Sequence, residues 1–244
     1  MRRSWIGGAL LAVSFAAGAQ EMPGVETIRV WVQIGIDAEG RTTRVTYPYA
    51  QCYTPAFMDR LRVQLAMRAF DPLLIDGRAV EVDTPARVDV ALRPDAGGLV
   101  ATIAAVKPMP RPVTMVAPGY PARALAAVRE GRIVFRCALG EDGRCADIDL
   151  ADSGVNMTLA RAARDALRRW TFELPRYDGR PITGTVAVPF RFTTRPAGED
   201  PADGEADTIS AEDWRLPGAR PAPSRAFPVG SQTARTTAQL QVCR

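Results

Sequence analysis

The chain has 244 residues, 47% of them hydrophobic and 24% charged, with a formal net charge of +4 and no histidine. That is room for one or two ordinary domains with filled cores. The lack of histidine excludes Ser-His-Asp and Cys-His catalysis and His-containing zinc sites.

In chain order, Met1-Arg2-Arg3, an apolar run from Trp5 to Ala17 and the small residues Ala17-Gly18-Ala19 have the layout of a secretory signal peptide over 1–19. The run is shorter than the ~20 apolar residues that span a bilayer. A first unit is expected over 20–94. Ile28, Val30, Val32, Ile34 and Ile36 alternate as in a half-buried strand, Asp37-Ala38-Glu39-Gly40 turns it, and residues 43–47 return. A helix is predicted over 56–70, with Met58, Leu61, Leu65 and Ala69 on one face. Asp76-Gly77-Arg78 makes a turn, and Val88, Val90 and Leu92 alternate in a last strand. Residues 95–117 are rich in Gly, Pro and Ala and read as a linker, with a short strand over 99–106.

The second unit, over 118–195, opens with Tyr120-Pro121-Ala122-Arg123 as a helix start. Ile133, Phe135, Cys137 and Leu139 alternate, Glu141-Asp142-Gly143 turns, and Ile148 and Leu150 return as the second arm of a hairpin. Asn156 or Thr158 caps a helix whose Leu159, Ala162, Ala163, Ala166, Leu167 and Trp170 share one side, with Arg161, Arg164, Asp165, Arg168 and Arg169 on the other. After a turn at Asp178-Gly179, a final strand points Val186, Val188, Phe190 and Phe192 inward. The order repeats that of the first unit: Asp37-Ala38-Glu39-Gly40 corresponds to Gly140-Glu141-Asp142-Gly143, Phe70 to Phe172, and Asp76-Gly77-Arg78 to Asp178-Gly179-Arg180. An internal duplication is the expectation.

The tail, 196–244, is Pro-, Gly- and Ala-rich and holds seven acids: Glu199, Asp200, Asp203, Glu205, Asp207, Glu212 and Asp213. It reads as disordered, with an edge strand through Leu240 and Val242 as its one structured piece. The rest of the chain is correspondingly basic, but no aromatic residues interleave with the arginines as a nucleic-acid stacking platform requires. A solvated arginine face is the reading, with no nucleic-acid partner. Of the four cysteines, Cys137 and Cys145 lie on the two arms of the predicted hairpin, where opposed positions meet the Cα separation a disulfide needs. Cys52 and Cys243 are left for each other.

The second unit resembles a known family. Tyr120-Pro121 followed by Ala122-Arg123, Glu130-Gly131 before Ile133 and Phe135, Asp142-Gly143-Arg144, the Ala-rich helix ending in Arg168-Arg169-Trp170-Thr171-Phe172, Asp178-Gly179-Arg180-Pro181, and Val188-Pro189-Phe190-Arg191-Phe192 are together similar to the C-terminal domain of TonB-type energy transducers. The fold class that follows is α+β, with two tandem units of this kind, the first diverged, each a small antiparallel sheet packed by helices. The resemblance implies binding of the TonB-box peptide of outer-membrane receptors against a sheet edge. TonB proteins also carry an uncleaved anchor helix with a histidine that engages the inner-membrane motor, and a long Pro-Lys/Pro-Glu spacer. This chain has no such features in its sequence, so energy transduction is not carried over.

Catalytic signals are lacking. The cysteine spacing fits no CxxC motif, and no Gly-rich phosphate loop or dinucleotide fingerprint occurs. Asp147, Asp149 and Asp152 alternate as acids do on the wet face of a sheet, and nothing builds a cleft around an acid pair for glycoside hydrolysis. A non-enzyme without cofactor or metal is expected. Its candidate site is the edge of the last strand, Thr185, Ala187, Pro189, Arg191, Thr193 and Arg195, which would accept an extended peptide through main-chain hydrogen bonds. The expected partner is a protein or peptide, such as the periplasmic segment of an outer-membrane receptor. The expected location is the periplasm, with membrane contact only if the N-terminal run is retained. Two alternatives stand: an anchored energy transducer, and an envelope-stabilising module without a peptide ligand.

Overall fold

The structure is a computed structural model that describes residues 26–96, 98–152, 156–194, 209–212, 220 and 225–230. The expected signal peptide, Arg195, Cys243 and the strand expected through Leu240 and Val242 lie outside the described residues. Elements follow in chain order as β1 (Glu26–Ile36), β2 (Thr42–Thr46), α1 (Pro55–Ala66), β3 (Leu73–Ile75), β4 (Arg78–Val80), β5 (Val82–Asp95), β6 (Gly98–Pro108), β7 (Arg111–Thr114), α2 (Ala122–Ala126) and β8 (Gly131–Leu139). They continue as β9 (Cys145–Leu150), α3 (Met157–Leu167), β10 (Thr171–Glu173), β11 (Arg176–Tyr177), β12 (Arg180–Pro181), β13 (Gly184–Phe192), β14 (Ser210–Glu212) and β15 (Phe227–Gly230). This is a mixed α+β architecture.

The first sheet is built on β1, which pairs antiparallel with β2 on one side and β5 on the other. The alternation read in the sequence holds: Ile28, Val30, Val32, Ile34 and Ile36 are all buried. Helix α1 lays Phe57, Leu61 and Leu65 into the same core. It is shorter than the predicted 56–70 and uses Phe57 rather than Met58 as its first inward residue. The cause lies at its ends. Thr54 caps it, accepting from the Phe57 N–H, with Pro55 in the first turn. Past its end, the Phe70 N–H donates to the Gly40 carbonyl at 2.7 Å, which draws the chain out of the helix toward the β1–β2 turn.

The second sheet runs in the order β14-β13-β8-β9. Its core holds Ile133, Phe135, Leu139, Val186, Val188, Phe190 and Phe192, covered by Leu159, Ala160, Ala163, Ala166 and Leu167 of α3. Asn156 is the cap of α3, accepting from the Thr158 and Leu159 N–H groups. Asn156→Ala is expected to cost about 1 kcal/mol, read as a lower urea midpoint at unchanged slope. The indole of Trp170 packs 5.4 Å from Phe190 and donates its N–H to the Val116 carbonyl. Cys137 and Cys145 form a disulfide across 5.3 Å between Cα atoms. They are not directly opposed, as the hairpin reading assumed: Cys137 faces Ile148, and Cys145 faces Leu139 beyond a bulge. Cys52 is also disulfide-bonded.

Residues read as linker and tail do more than connect. β6 pairs with β5 over ten positions and buries Leu99, Ala101, Ile103 and Val106 in the first core. The three-residue step from Ile103 to Val106 hides this strand from a strict period-two reading. It arises because Ala105 faces Asp89 and Ile103 faces Val90, leaving Ala104 as a bulge residue. β7 pairs with β10 of the second unit. Two short pieces of the tail are strands as well: β15 pairs with β6 and buries Phe227 and Val229 in the first core, and β14 pairs with β13. Tail composition gives no period over such short segments, so the pairing is decided by long-range contacts.

The units meet directly. β11 reaches β5 through Arg176 opposite Asp83, and Ile182 packs on the first core. The Arg111 guanidinium donates to Glu173 Oε2 through Nε (2.9 Å) and Nη2 (2.6 Å), and to Tyr49 Oη through Nη1 (2.7 Å), while lying 5.1 Å from the Tyr49 ring centroid. Burial favours the neutral phenol of both Tyr47 and Tyr53, pushing Tyr53 up to about 12. An unfolded tyrosine titrates near ~10, so the unfolded chain loses these protons first. The stability these phenols give is complete below that value and is lost as pH rises toward 12. Denaturant midpoints are expected to fall in that window together with the rise of phenolate absorbance, and Tyr53→Phe is expected to flatten the fall.

Candidate functional site

β13 begins two residues after the β11–β12 hairpin and crosses the whole second sheet. Its inward side chains, Val186, Val188, Phe190 and Phe192, are buried and fix its register against β8. A one-residue slip would turn all four to the wet face. The other parity carries the predicted edge residues: Thr185 faces Ala138, Ala187 faces Arg136, Pro189 faces Val134, and Arg191 faces Arg132. Proline lacks an N–H, so within a sheet it is tolerated where that position points away from the paired neighbour. Pro189 in register with β8 therefore marks the opposite side of β13 as the side turned to an edge.

That side is partly occupied. β14 pairs antiparallel with β13, with Glu212 opposite Thr185, Ala211 opposite Val186 and Ser210 opposite Ala187. Ile209, just before β14, packs half-buried on the second core. The register of β14 ends at Ala187, while β13 continues to Phe192. Past the end of β13, Glu130 accepts from the Thr194 N–H at 2.7 Å and from its hydroxyl. The structure thus places Thr185, Ala187, Pro189, Arg191 and Thr193 in sequence along one strand and its exit, and puts β14 against the first two. Neither β14 nor the Glu130 tie was read from the sequence. The lone apolar Ile209 in an acidic run was the one available signal.

The outer face of this sheet is basic. Arg132 and Arg191 sit directly opposite one another on β8 and β13, and Arg136 lies two residues along β8, opposite Asp149 of β9. Arg132 and Arg136 are exposed and Arg191 is half-buried; all three have partners in the folded chain. Asp147 and Asp149 are exposed on β9, and among the described residues no group of His, Cys, Asp or Glu is placed to hold a metal ion. Among the described residues no helix is long and apolar enough to cross a membrane.

The matching strand of the first sheet, β5, is covered on its outer side by β6 opposite residues 86–95 and by β11 at Asp83. The two sheets share their turns as well. Gly40 and Gly143 both have positive φ (81° and 73°), and the carbonyl of each accepts from a Phe N–H, Phe70 at 2.7 Å and Phe172 at 2.8 Å. Asp37 Oδ1 accepts from the Arg41 N–H, and Asp142 Oδ1 from the Arg144 N–H.

The family described as Gram-negative bacterial TonB protein C-terminal matches residues 116–194. The chain is 34% identical over 84 residues to Protein TonB of Klebsiella pneumoniae, which is 34% of this chain and 33% of that protein. It is 32% identical over 75 residues to Protein TonB of Xanthomonas campestris pv. campestris (strain B100), covering 31% of this chain and 34% of that protein. The solution NMR structure of the Pseudomonas aeruginosa TonB CTD matches at 32% identity with a TM-score of 0.32, over 36% of this chain and 88% of that one. The chain thus spans about a third of the length of the curated relatives it matches (33% and 34%). Residues 116–194, which contain β8, β9, α3 and β13, belong to the TonB C-terminal domain family.

Proposed function

We propose that this chain is a non-catalytic periplasmic module that binds an extended polypeptide by strand addition along β13, in the service of TonB-dependent transport. The observation that carries the reading is the mismatch in length on the outer side of β13. β14 stops opposite Ala187, whereas β13 runs on to Phe192. Backbone groups along such a border give affinity, and neighbouring side chains give selectivity. Arg191 and Arg132 on the adjoining face favour a ligand with acids. The Cys137–Cys145 bridge supports an oxidising compartment. The repeated turns and sheet order of the first unit support its reading as a diverged copy of the second. With β5 already covered by β6, one peptide per chain follows.

The test is calorimetric titration of the full chain with peptides from the N-terminal periplasmic segments of outer-membrane receptors. At least one is expected to bind with a dissociation constant on the order of micromolar, about −8 kcal/mol. N-methylating alternate peptide amides along one edge of that peptide is expected to abolish binding, because strand addition depends on main-chain donors. Binding that survives methylation of either edge would reject strand addition.

A further inference from the structure

We infer that the acidic tail is a resident and displaceable ligand of the β13 edge, held there by β14 and exchanged for an incoming acidic peptide strand. The inference rests on the reading of β13 as a peptide-binding edge, and it adds the regulation and charge class of the ligand. The decisive comparison is within the molecule. On the first sheet, β6 covers β5 with ten paired positions and anchors itself by burying Leu99, Ala101, Ile103 and Val106. That strand is part of the core and does not leave without unfolding. On the second sheet, β14 covers the matching strand with three pairs, and the only apolar residue packed beside it among the described tail residues 209–212 is Ile209, half-buried. A three-residue strand is well below the usual ~5–6 residues, and one partly buried side chain contributes little to hold it. The same side of two similar sheets is therefore closed permanently in one and lightly in the other.

Charge points the same way. β14 lies in the stretch of chain that carries Glu199, Asp200, Asp203, Glu205, Asp207, Glu212 and Asp213. Arg132 and Arg191 face each other across β8 and β13, a like-charge pairing that favours an anion nearby. These arginines already have partners in the folded chain, so an acidic ligand binds by exchange. Closing an edge with a short covering segment also protects it from pairing with the wrong chain.

The experiment uses the full chain, Ala211→Pro, which removes a strand donor from β14, and Ile209→Ser, which removes its anchor without proline. Amide exchange at Thr185 and Ala187 is expected to accelerate in both variants. A synthetic peptide of residues 205–214 is expected to bind each variant roughly tenfold more tightly than the parent chain, as a competitor present about nine-tenths of the time requires. The same peptide with its acids changed to amides is expected to bind more weakly. Equal affinity of the acidic peptide for parent and both variants would overturn the inference, as would unchanged exchange at Thr185 and Ala187. Receptor-segment peptides separate the two readings. If they bind parent and variants equally, the tail inference fails and the peptide edge stands. If they bind none of the three while the 205–214 peptide behaves as expected, the transport reading fails and the tail inference stands.

Discussion

Gly143→Ala is expected to destabilise the second unit by about 3–5 kcal/mol, enough to leave much of it unfolded near room temperature. Two costs coincide at this position. Its φ of +73° is one that residues with a side chain rarely adopt, and an added Cβ would lie 2.1 Å from the Phe172 carbonyl oxygen. That oxygen belongs to backbone held in place by the Phe172 N–H bond to the Gly143 carbonyl, so no flexible side-chain end can yield. Gly40→Ala repeats the situation in the first unit, with φ +81° and a Cβ 2.0 Å from the Phe70 carbonyl oxygen. Gly179→Ala is the internal control. Its φ of +72° is equally unusual, but nothing lies within 4 Å of the added carbon, so only the conformational cost of about 1 kcal/mol remains. Urea midpoints of the three variants should fall in that order, with Gly179→Ala nearest the parent. Equal losses at Gly143 and Gly179 would mean that the tight glycine–phenylalanine contact does not form.

Phe135→Ala is expected to cost about 3–5 kcal/mol as well, through lost burial and the cavity left behind. Phe135 is fully buried at the centre of β8. Phe190 meets it edge-on at 6.2 Å, and the Arg164 guanidinium of α3 lies 5.5 Å from its ring centroid. The loss should be read in near-UV dichroism from Trp170, which packs against the same Phe190. A loss under about 1.5 kcal/mol would mean that the core repacks around the gap, as volume-tolerant sites do.

Much of this architecture could be read from residue order because strong periods survive in the central elements. β1 and β13 alternate without interruption, and α3 keeps its small and branched apolar residues on one side. The glycine turns were legible for a local reason: Asp-Gly and Glu-Gly pairs supply both the side-chain acceptor and the positive φ. What was not legible depends on distant partners. The bulge at Ala104 breaks the period of β6, so a core strand reads as part of a linker. β14 and β15 have three and four residues, too few for any pattern, and their placement is decided by β13 and β6. The same limit applies to the site. The parity of Thr185, Ala187, Pro189 and Arg191 follows from four inward neighbours, but the strand lying against the first two comes from a part of the chain whose composition predicts no structure.

The most direct measurement is a backbone amide shift map of the full chain titrated with a receptor-segment peptide. Strand addition predicts saturable changes concentrated at Val188, Phe190, Arg191 and Phe192, with smaller ones on β8 opposite them. Changes confined to the first sheet or to α3, with those β13 amides unmoved at saturation, would contradict it.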